Sequence, residues 1–545
     1  MNPRVDRILF LGLDGGTQTV LQPMFDRGVM PNLRGLWERS SHGSLVSTLP
    51  MVTPVAWTSF LTGCEPGLHG IHEFFHLDSE RRCFQANTAK NIRVDTLWNI
   101  LGAHGRSVVS INLPMTYPAP AVDGLIISGN DAPGHRAAIS SCLSFAAKLA
   151  AAEPGFTTRN LWKTRPATPE ELDTTCRKTE AQFKSLARAA IMADSEVNWT
   201  ALMVQFQNLD GLLHRAWPEL NVDGGPAPSP AGTRSVERTL RTLDEACARL
   251  IDLADQRGAA IVALSDHGFG PCKSVINVNG LLQAGGYQRR LSYGTRFRYR
   301  FHRLSDRWRR YQLGRQGTEN PPVSRTIAGE VGCDWKRTVA FAPFGQLSAC
   351  VYLNQDQVHT TARADSLRAE IAEYLQGARH PETGERLFVE AFDMAQKYGC
   401  NPAEQGNPDI LAGSVDGIQA QAKWDPRSSA LSGVDRSLPG THYRQGIIAI
   451  QAPGMTSGPV LTGRLADVAP TALTFLGIDV PGFMQGRPLR PGPAGEGMNT
   501  AAFSPTRPKS LRFDPFPGEP PTPIFSRPEL RERWVAVPKD PGTSS

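Results

Sequence analysis

Residues Ala259 to Gly268 read Ala-Ala-Ile-Val-Ala-Leu-Ser-Asp-His-Gly, and this stretch decides the fold. Six small or branched apolar residues without polar alternation mark a strand buried on both faces, as in a parallel sheet. The run stops at Ser265, and an adjacent Asp266-His267 pair then sits in a turn marked by Gly268. Upstream, Val236, Leu240, Leu243, Cys247, Leu250 and Ala254 recur at helical spacing between Ser235 and Gln256, and Gly258 ends that helix. Helix, tight turn, buried strand and polar turn form the repeating unit of an α/β fold. This predicts a mostly parallel sheet with helices on both faces.

The same punctuation recurs along the chain. Arg7 to Leu13 is a short apolar run ending at Asp14-Gly15-Gly16, and Trp199 to Phe206 leads into Gln207-Asn208. Ser107 to Asn112, Leu125 to Ser128 and Gly446 to Ile450 are further candidate strands. Val94 to His104 reads as an amphipathic helix closed by Gly105, and another helix starts at Asp467 and runs through Ala472, Leu473 and Leu476. Two regions break the alternation and are predicted to be insertions over the active edge of the sheet. One is an Ala-rich helical stretch at about 130–195. The other, 286–397, holds an Arg-rich stretch and a β segment from Val339 to Asn354. The expected organisation is a core in two parts, 1–285 and 398–495, with a cap at 286–397 and a Pro-rich tail at 496–545. Ten prolines follow from Ala501 onward, so the tail is either disordered or an extended strap held by Phe513, Phe516, Phe525 and Trp534.

A chain of 545 residues exceeds one compact core, and 40% hydrophobic with 20% charged residues fits a soluble globular protein. No apolar run approaches the roughly 20 residues that a membrane-spanning helix needs. Met1-Asn2-Pro3-Arg4 leads into a short apolar run with no small-residue cleavage pattern, from which a cytoplasmic location is expected. Nine cysteines, an odd number without a Cys-x-x-Cys pair, argue against a disulfide framework or a thiolate metal site. The net charge of +6 is concentrated: Arg289 to Arg315 contains ten arginines and one acidic residue, Asp306. That stretch reads either as a solvated basic surface or as a rim that attracts an anionic surface or substrate. Specific nucleic-acid recognition is not expected, and the oligomeric state is left open.

The candidate chemistry lies at the strand ends, where ligands bind in such sheets. Asp14, Asp210, Asp266 and His267 each follow an apparent strand. Taken alone, Asp14 serves equally as a helix cap or turn residue. Asp210 and His214 are four apart, so one helical turn would put them on one face. His442, in Gly-Thr-His-Tyr-Arg, has no local partner. Oxygen and nitrogen ligands without sulfur suit Zn, Mn, Fe or Mg. A hydroxyl beside such ions becomes a usable nucleophile, and Thr53 in Met51-Val52-Thr53-Pro54-Val55-Ala56-Trp57-Thr58-Ser59 is the candidate.

The order of these motifs resembles the alkaline phosphatase superfamily, in particular its type I phosphodiesterase/nucleotide pyrophosphatase branch. Thr53 stands nine residues before Thr62-Gly63, and Pro66 and His69-Gly70 follow. Asp14, the Asp210/His214 pair, Ser265-Asp266-His267-Gly268, Gly440-Thr441-His442 and the helix from Asp467 then match in sequence order, over roughly residues 7–490. The resemblance implies that Asp210, His214 and His442 hold one divalent ion, and that Asp14, Asp266, His267 and the Thr53 oxygen hold the other. Zinc comes first among the candidate metals. It further implies a phosphohydrolase, most like a phosphodiesterase, acting on a small-molecule phosphate ester through a covalent phospho-Thr53. A phosphomonoesterase or phosphonate hydrolase on the same core, or an anion-binding module with an idle site, are the alternatives. The chain departs from the branch at two places: Phe74 occupies the position of an Asn that helps hold phosphate oxygens, and Pro54 follows Thr53 directly. Cys64-Glu65-Pro66-Gly67-Leu68 lacks the Arg of a sulfatase motif, which sets that chemistry aside.

Overall fold

A computed structural model describes residues 4–78, 83–132, 140–222, 228–289, 325–326, 333–343, 347–399, 401–422, 431–432 and 437–490. The Arg-rich stretch beyond Arg289 and the Pro-rich tail lie outside the described residues. Eight strands form the central sheet: β1 (Ile8–Gly12), β2 (Ser41–Val46), β3 (Val108–Leu113), β4 (Gly124–Ser128), β5 (Ala201–Gln205), β6 (Ala260–Leu264), β7 (Gln445–Gln451) and β8 (Gly458–Arg464). Their spatial order is β8-β2-β7-β6-β1-β5-β3-β4. All pairings are parallel except those of β7, which runs antiparallel to both β2 and β6.

Strand β1 is central and buried along its length, and its side chains alternate between two cores. Leu9 and Leu11 join Val109, Ile111, Leu202, Val204, Ile261 and Ala263 on one face, under helices Gln18–Asp26, Pro31–Arg39, Pro169–Asp194 and Pro230–Arg257. Ile8 and Phe10 join Met203, Val262, Leu264, Ile448 and Ile450 on the other, under helices Thr53–Thr62, Leu97–Ala103 and Val468–Phe475. Burial on both faces explains why the strands read as continuous apolar runs. The expected helix starts shift by three and five residues, from Val94 to Leu97 and from Ser235 to Pro230, while their ends hold to within one. Thr96 accepts from the Asn99 N–H and starts its helix at Leu97, while Gly258, at φ 63°, ends Pro230–Arg257.

Two expectations about the insertions need correction. The helical stretch at about 130–195 does not sit over the active edge as a unit. Its long helix Pro169–Asp194 lies along Pro230–Arg257 and against β3 and β5, so it is one of the layers covering the sheet. Its buried Leu172, Cys176, Phe183 and Leu186 face the sheet core, which an Ala-rich composition did not reveal. The cap also extends past residue 397. Ala340–Phe341, Ser348–Leu353, Ile410–Ser414 and Phe388–Asp393 form a four-stranded antiparallel sheet under helix Thr361–Gln376. Ile410–Ser414 is apolar on both faces like a core strand, and only its pairing partners assign it to the cap.

The cap sheet bears on the segment before Thr53. Cys350, Tyr352 and Leu411 bury against Leu49, Met51 and Phe84, and Leu347 joins Val52, Val55, Ile71 and Met115. A second small sheet matters for the site: Gly440–Tyr443 pairs antiparallel with Gly268–Pro271, placing His442 opposite Phe269.

Gly268 is tightly constrained there, because a Cβ on it would lie 1.9 Å from the Gln445 backbone oxygen. Gly35, in helix Pro31–Arg39, has open space around it. Gly268→Ala is therefore expected to destabilise the protein by about 1–3 kcal/mol, whereas Gly35→Ala should stabilise it by roughly 0.5–1 kcal/mol. Urea denaturation of the two variants checks this. Equal stabilities would contradict the packing described.

Candidate metal centre

The site is assembled at the carboxyl ends of β1, β5 and β6. Asp14 lies two residues past β1, and Gly15 follows it at φ 71°, turning the chain so that its N–H donates to Asp266 Oδ1 (3.1 Å). Asp266 and His267 follow β6 after Ser265 and are fully buried, as is Asp14. The His267 Nδ1–H is directed at the Gly268 carbonyl (3.1 Å), which turns Nε2 inward. That Nε2 lies 3.2 Å from Asp266 Oδ2 and 3.7 Å from Asp14 Oδ1. Asp14 Oδ1, Asp266 Oδ2 and His267 Nε2 are all buried without a hydrogen-bond partner. Three lone-pair atoms facing one another in this way carry the full cost of desolvation unless a cation joins them.

The second cluster adjoins the first. Asp210 and His214 do fall one turn apart, in helix Asn208–Leu220, and the strand Gly440–Tyr443 brings His442 to them. His214 Nδ1 is held by the Gly440 carbonyl (2.9 Å) and His442 Nδ1 by the Met51 carbonyl (2.8 Å). With both Nδ1–H groups committed, the two Nε2 atoms meet at 2.9 Å, and His442 Nε2 lies 2.9 Å from Asp210 Oδ1. His214 Nε2 is 3.4 Å from the same oxygen. Only a shared proton or a cation makes that approach tolerable. The rings of His267 and His442 stack with centroids 3.4 Å apart, so the clusters abut. Ligand atoms of Asp14, Asp266 and His267 lie within 4.8 Å of one another, and so do those of Asp210, His267 and His442. His267 thus stands between the two groups.

The electrostatics fit the same reading. Burial, aided by Asp266 and Asp210, pushes the Asp14 carboxyl well above the usual carboxylate range. Burial likewise raises Asp266 to about 7. Burial also acts to raise Asp210, but His214 and His442 outweigh it and hold this carboxyl below its ordinary value. Burial lowers His214 to about 4 and takes His267 well below its ordinary range, so both rings are neutral at pH 7, as ligands must be. A bound cation would reverse the penalty on the carboxylates.

Thr53 opens the buried helix Thr53–Thr62 and is 8% exposed. Two residues earlier, the Met51 carbonyl holds His442; one turn later, the Trp57 indole N–H donates to Asp14 Oδ2 (3.3 Å). The helix start is thereby tied to both clusters. Val52, Val55, Ile71, Met115 and Leu347 make an apolar wall beside it. Phe74 is among the exposed large apolar residues, at 38%, while its neighbour Glu73 is buried and raised by that burial to about 7.

The six carboxylate and imidazole residues singled out from sequence therefore lie together, Thr53 is linked to them only through its chain neighbours Met51 and Trp57, and the sequence reading missed the groups that hold them. Trp57 and Gln205 both donate to Asp14 Oδ2, and Asn112 bonds to Gln205. The carbonyls of Met51 and Gly440 fix the imidazoles. The one available signal was Gln205 itself, an amide closing an apolar strand.

The profile of the type I phosphodiesterase/nucleotide pyrophosphatase family matches residues 8–391. No curated protein matches the chain in sequence. Among solved structures, phosphonoacetate hydrolase from Sinorhizobium meliloti 1021 in complex with phosphonoformate aligns at 17% identity and a TM-score of 0.52. The alignment covers 87% of this chain and 96% of that one. Wild-type alkaline phosphatase PafA aligns at 15% identity and a TM-score of 0.50, over 90% of this chain and 99% of that one. Both share the fold: a central, mostly parallel sheet between helical layers. With a profile match over more than half its length and the alkaline phosphatase fold beneath it, the chain belongs to the type I phosphodiesterase/nucleotide pyrophosphatase family, hydrolases of phosphoric ester bonds.

Proposed function

We propose that this protein is a two-metal phosphodiesterase in which the Thr53 hydroxyl, losing its proton, attacks phosphorus and breaks one ester P–O bond. That arm leaves as its alcohol with the proton, and water later breaks the bond from phosphorus to Thr53 to release the remaining phosphate monoester. The observation that carries this reading is the set of buried, partnerless lone pairs on Asp14, Asp266 and His267 beside the crowded imidazoles of His214 and His442. We assign Asp210, His214 and His442 to one ion, and Asp14, Asp266, His267 and Thr53 to the other, with zinc the first choice. Divalent ions held there supply neutralisation of the charge that builds on the transferring phosphoryl oxygens.

The chain's own residues do the rest. Backbone carbonyls of Met51, Gly440 and Gly268 hold each imidazole by Nδ1, so every Nε2 faces inward without rearrangement. The start of helix Thr53–Thr62 puts Thr53 at the positive end of the helix dipole, which favours an anionic phosphoryl group, although Pro54 has no N–H and those of Val55 and Ala56 already bond the Val52 carbonyl. The apolar wall of Val52, Val55, Ile71, Met115 and Leu347 favours a substrate with an organic ester arm over a dianionic monoester. Phe74 in place of an Asn argues against nucleotides as the preferred substrates. A phosphonate hydrolase or a phosphomonoesterase on the same core is the second reading, since the fold is shared with a phosphonoacetate hydrolase and with an alkaline phosphatase alike.

Thr53→Ala should lower hydrolysis of bis-p-nitrophenyl phosphate at least about a thousandfold, and Thr53→Ser should restore part of it. Retention of more than a tenth of the activity by Thr53→Ala would contradict the role of Thr53. If the fold serves as an anion-binding module with an idle metal site, wild-type protein shows no turnover to lose.

Metal removal has a signed pH dependence. Asp14 and Asp266 are raised in the metal-free fold, whereas an unfolded Asp titrates near about 4. Between about 4 and 7 the folded state therefore binds more protons. The stability from these groups is full below that window and lost as pH rises through about 7. An added ion must displace those protons, so the gain in Tm on adding zinc to chelator-stripped protein should be larger at pH 8 than at pH 5.5. Equal gains in a thermal-shift assay at the two pH values would contradict this.

A further inference from the structure

We propose that Gln205 and Asn112 are positioning residues that commit the Asp14 carboxylate to one-oxygen ligation of its ion, an inference that rests on the two-metal reading above. Asp14 Oδ2 takes both protein donors, the Gln205 side-chain amide and the Trp57 indole, while Oδ1 is left without a partner and faces His267 Nε2. The two oxygens of one carboxylate thus have separate duties: one is anchored and the other is reserved.

The anchoring has a fixed sense. Asn112 Nδ2 donates to the Gln205 backbone carbonyl (2.8 Å) and also to its side-chain oxygen (3.2 Å). A backbone carbonyl can only accept, so it sets which way the Asn112 amide points. Asn112 in turn occupies the Gln205 side-chain oxygen and leaves the Gln205 NH2 as the group turned to Asp14. A reversed Gln205 would set its oxygen against a carboxylate oxygen. All three side chains are fully buried, so no water can replace the relay from bulk solvent.

The backbone is shaped for this relay. Asn112 has φ 67° and sits where the β3–β4 register shifts between Ile111 and Leu113. The bulge leaves the Asn112 side chain bonded to the end of β5, and Asn is among the few residues that tolerate this conformation. On β1, Gly12 opens the path to Asp14: a Cβ there would lie 2.9 Å from the Trp57 ring and 3.1 Å from Gln205 Cγ.

The test is metal binding by the full-length protein, read as ions retained after dialysis against buffered zinc and as affinities from competition with a chromophoric chelator. Gln205→Met keeps the volume and removes the donor. Asn112→Asp keeps the size and the left-handed preference but supplies at most one hydrogen, and only if protonated, where Asn112 Nδ2 supplies two. The Gln205 side-chain oxygen thereby loses its donor, and the amide is free to turn its NH2 away from Asp14. Wild type should hold two ions. Each variant should bind one of them about 10–100-fold more weakly, with the other, at Asp210, His214 and His442, unchanged. A merely structural role would lower the Tm of stripped protein and leave the affinities alone, or weaken both ions alike, and either result overturns the proposal. Should Gln205→Met misfold by circular dichroism, Asn112→Asp decides. If wild type itself holds fewer than two ions, the two-metal reading fails and takes this inference with it.

Discussion

Mutual repulsion among buried ligand atoms is the constraint on which the rest of this molecule depends. Three carboxylates and three imidazoles converge where the sheet and helices exclude water, and several of their oxygens and ring nitrogens have no hydrogen to share. Left to themselves they would take up protons, as the raised Asp14 and Asp266 show, or move apart. The fold prevents the second outcome. Five of the six ligands are fastened on the side away from the cluster: His214, His267 and His442 through Nδ1 to carbonyls, Asp266 through the Gly15 N–H, and Asp14 through Gln205 and Trp57. What remains is an arrangement stable only with positive charge at its centre.

The architecture around the cluster serves this end. Parallel strands bring Asp14, Asp266 and the Asn208–Leu220 helix to one edge, because β1, β5 and β6 are neighbours and point the same way. The lone antiparallel strand β7 lets the chain return past that edge, and the pairing of Gly440–Tyr443 with Gly268–Pro271 just before it delivers His442. The cap contributes through apolar contact, pressing Leu347 and Tyr352 onto the segment from Leu49 to Val55 that carries Thr53. Position, desolvation and a helix start at the reacting group are thus supplied by three separate parts of the chain.

How much of this could be read from the sequence varied with how local the determining interaction is. Strands β1 and β6 were legible because burial on both faces leaves an unbroken apolar run, and Asp14 and Asp266-His267 were legible because they follow such runs. Asp210 and His214 could be paired because four residues is one helical turn. His442 could not be placed from its neighbours, since its partner His214 is 228 residues away, and only the order of motifs along the chain pointed to it. Gln205 and Asn112 escaped notice because their role lies in the sense of two side-chain amides, set across neighbouring strands. The cap boundary escaped for a related reason: Ile410–Ser414 has the composition of a core strand, and its membership depends wholly on which strands it pairs with.

The central claim is that two divalent ions complete this cluster, and anomalous diffraction from crystals grown with zinc tests it most directly. The account predicts two peaks about 4 Å apart, one bounded by Asp210, His214 and His442, the other by Asp14, Asp266 and His267 with the Thr53 oxygen in reach. A single peak, or density that leaves Thr53 outside coordination distance of either ion, would contradict it.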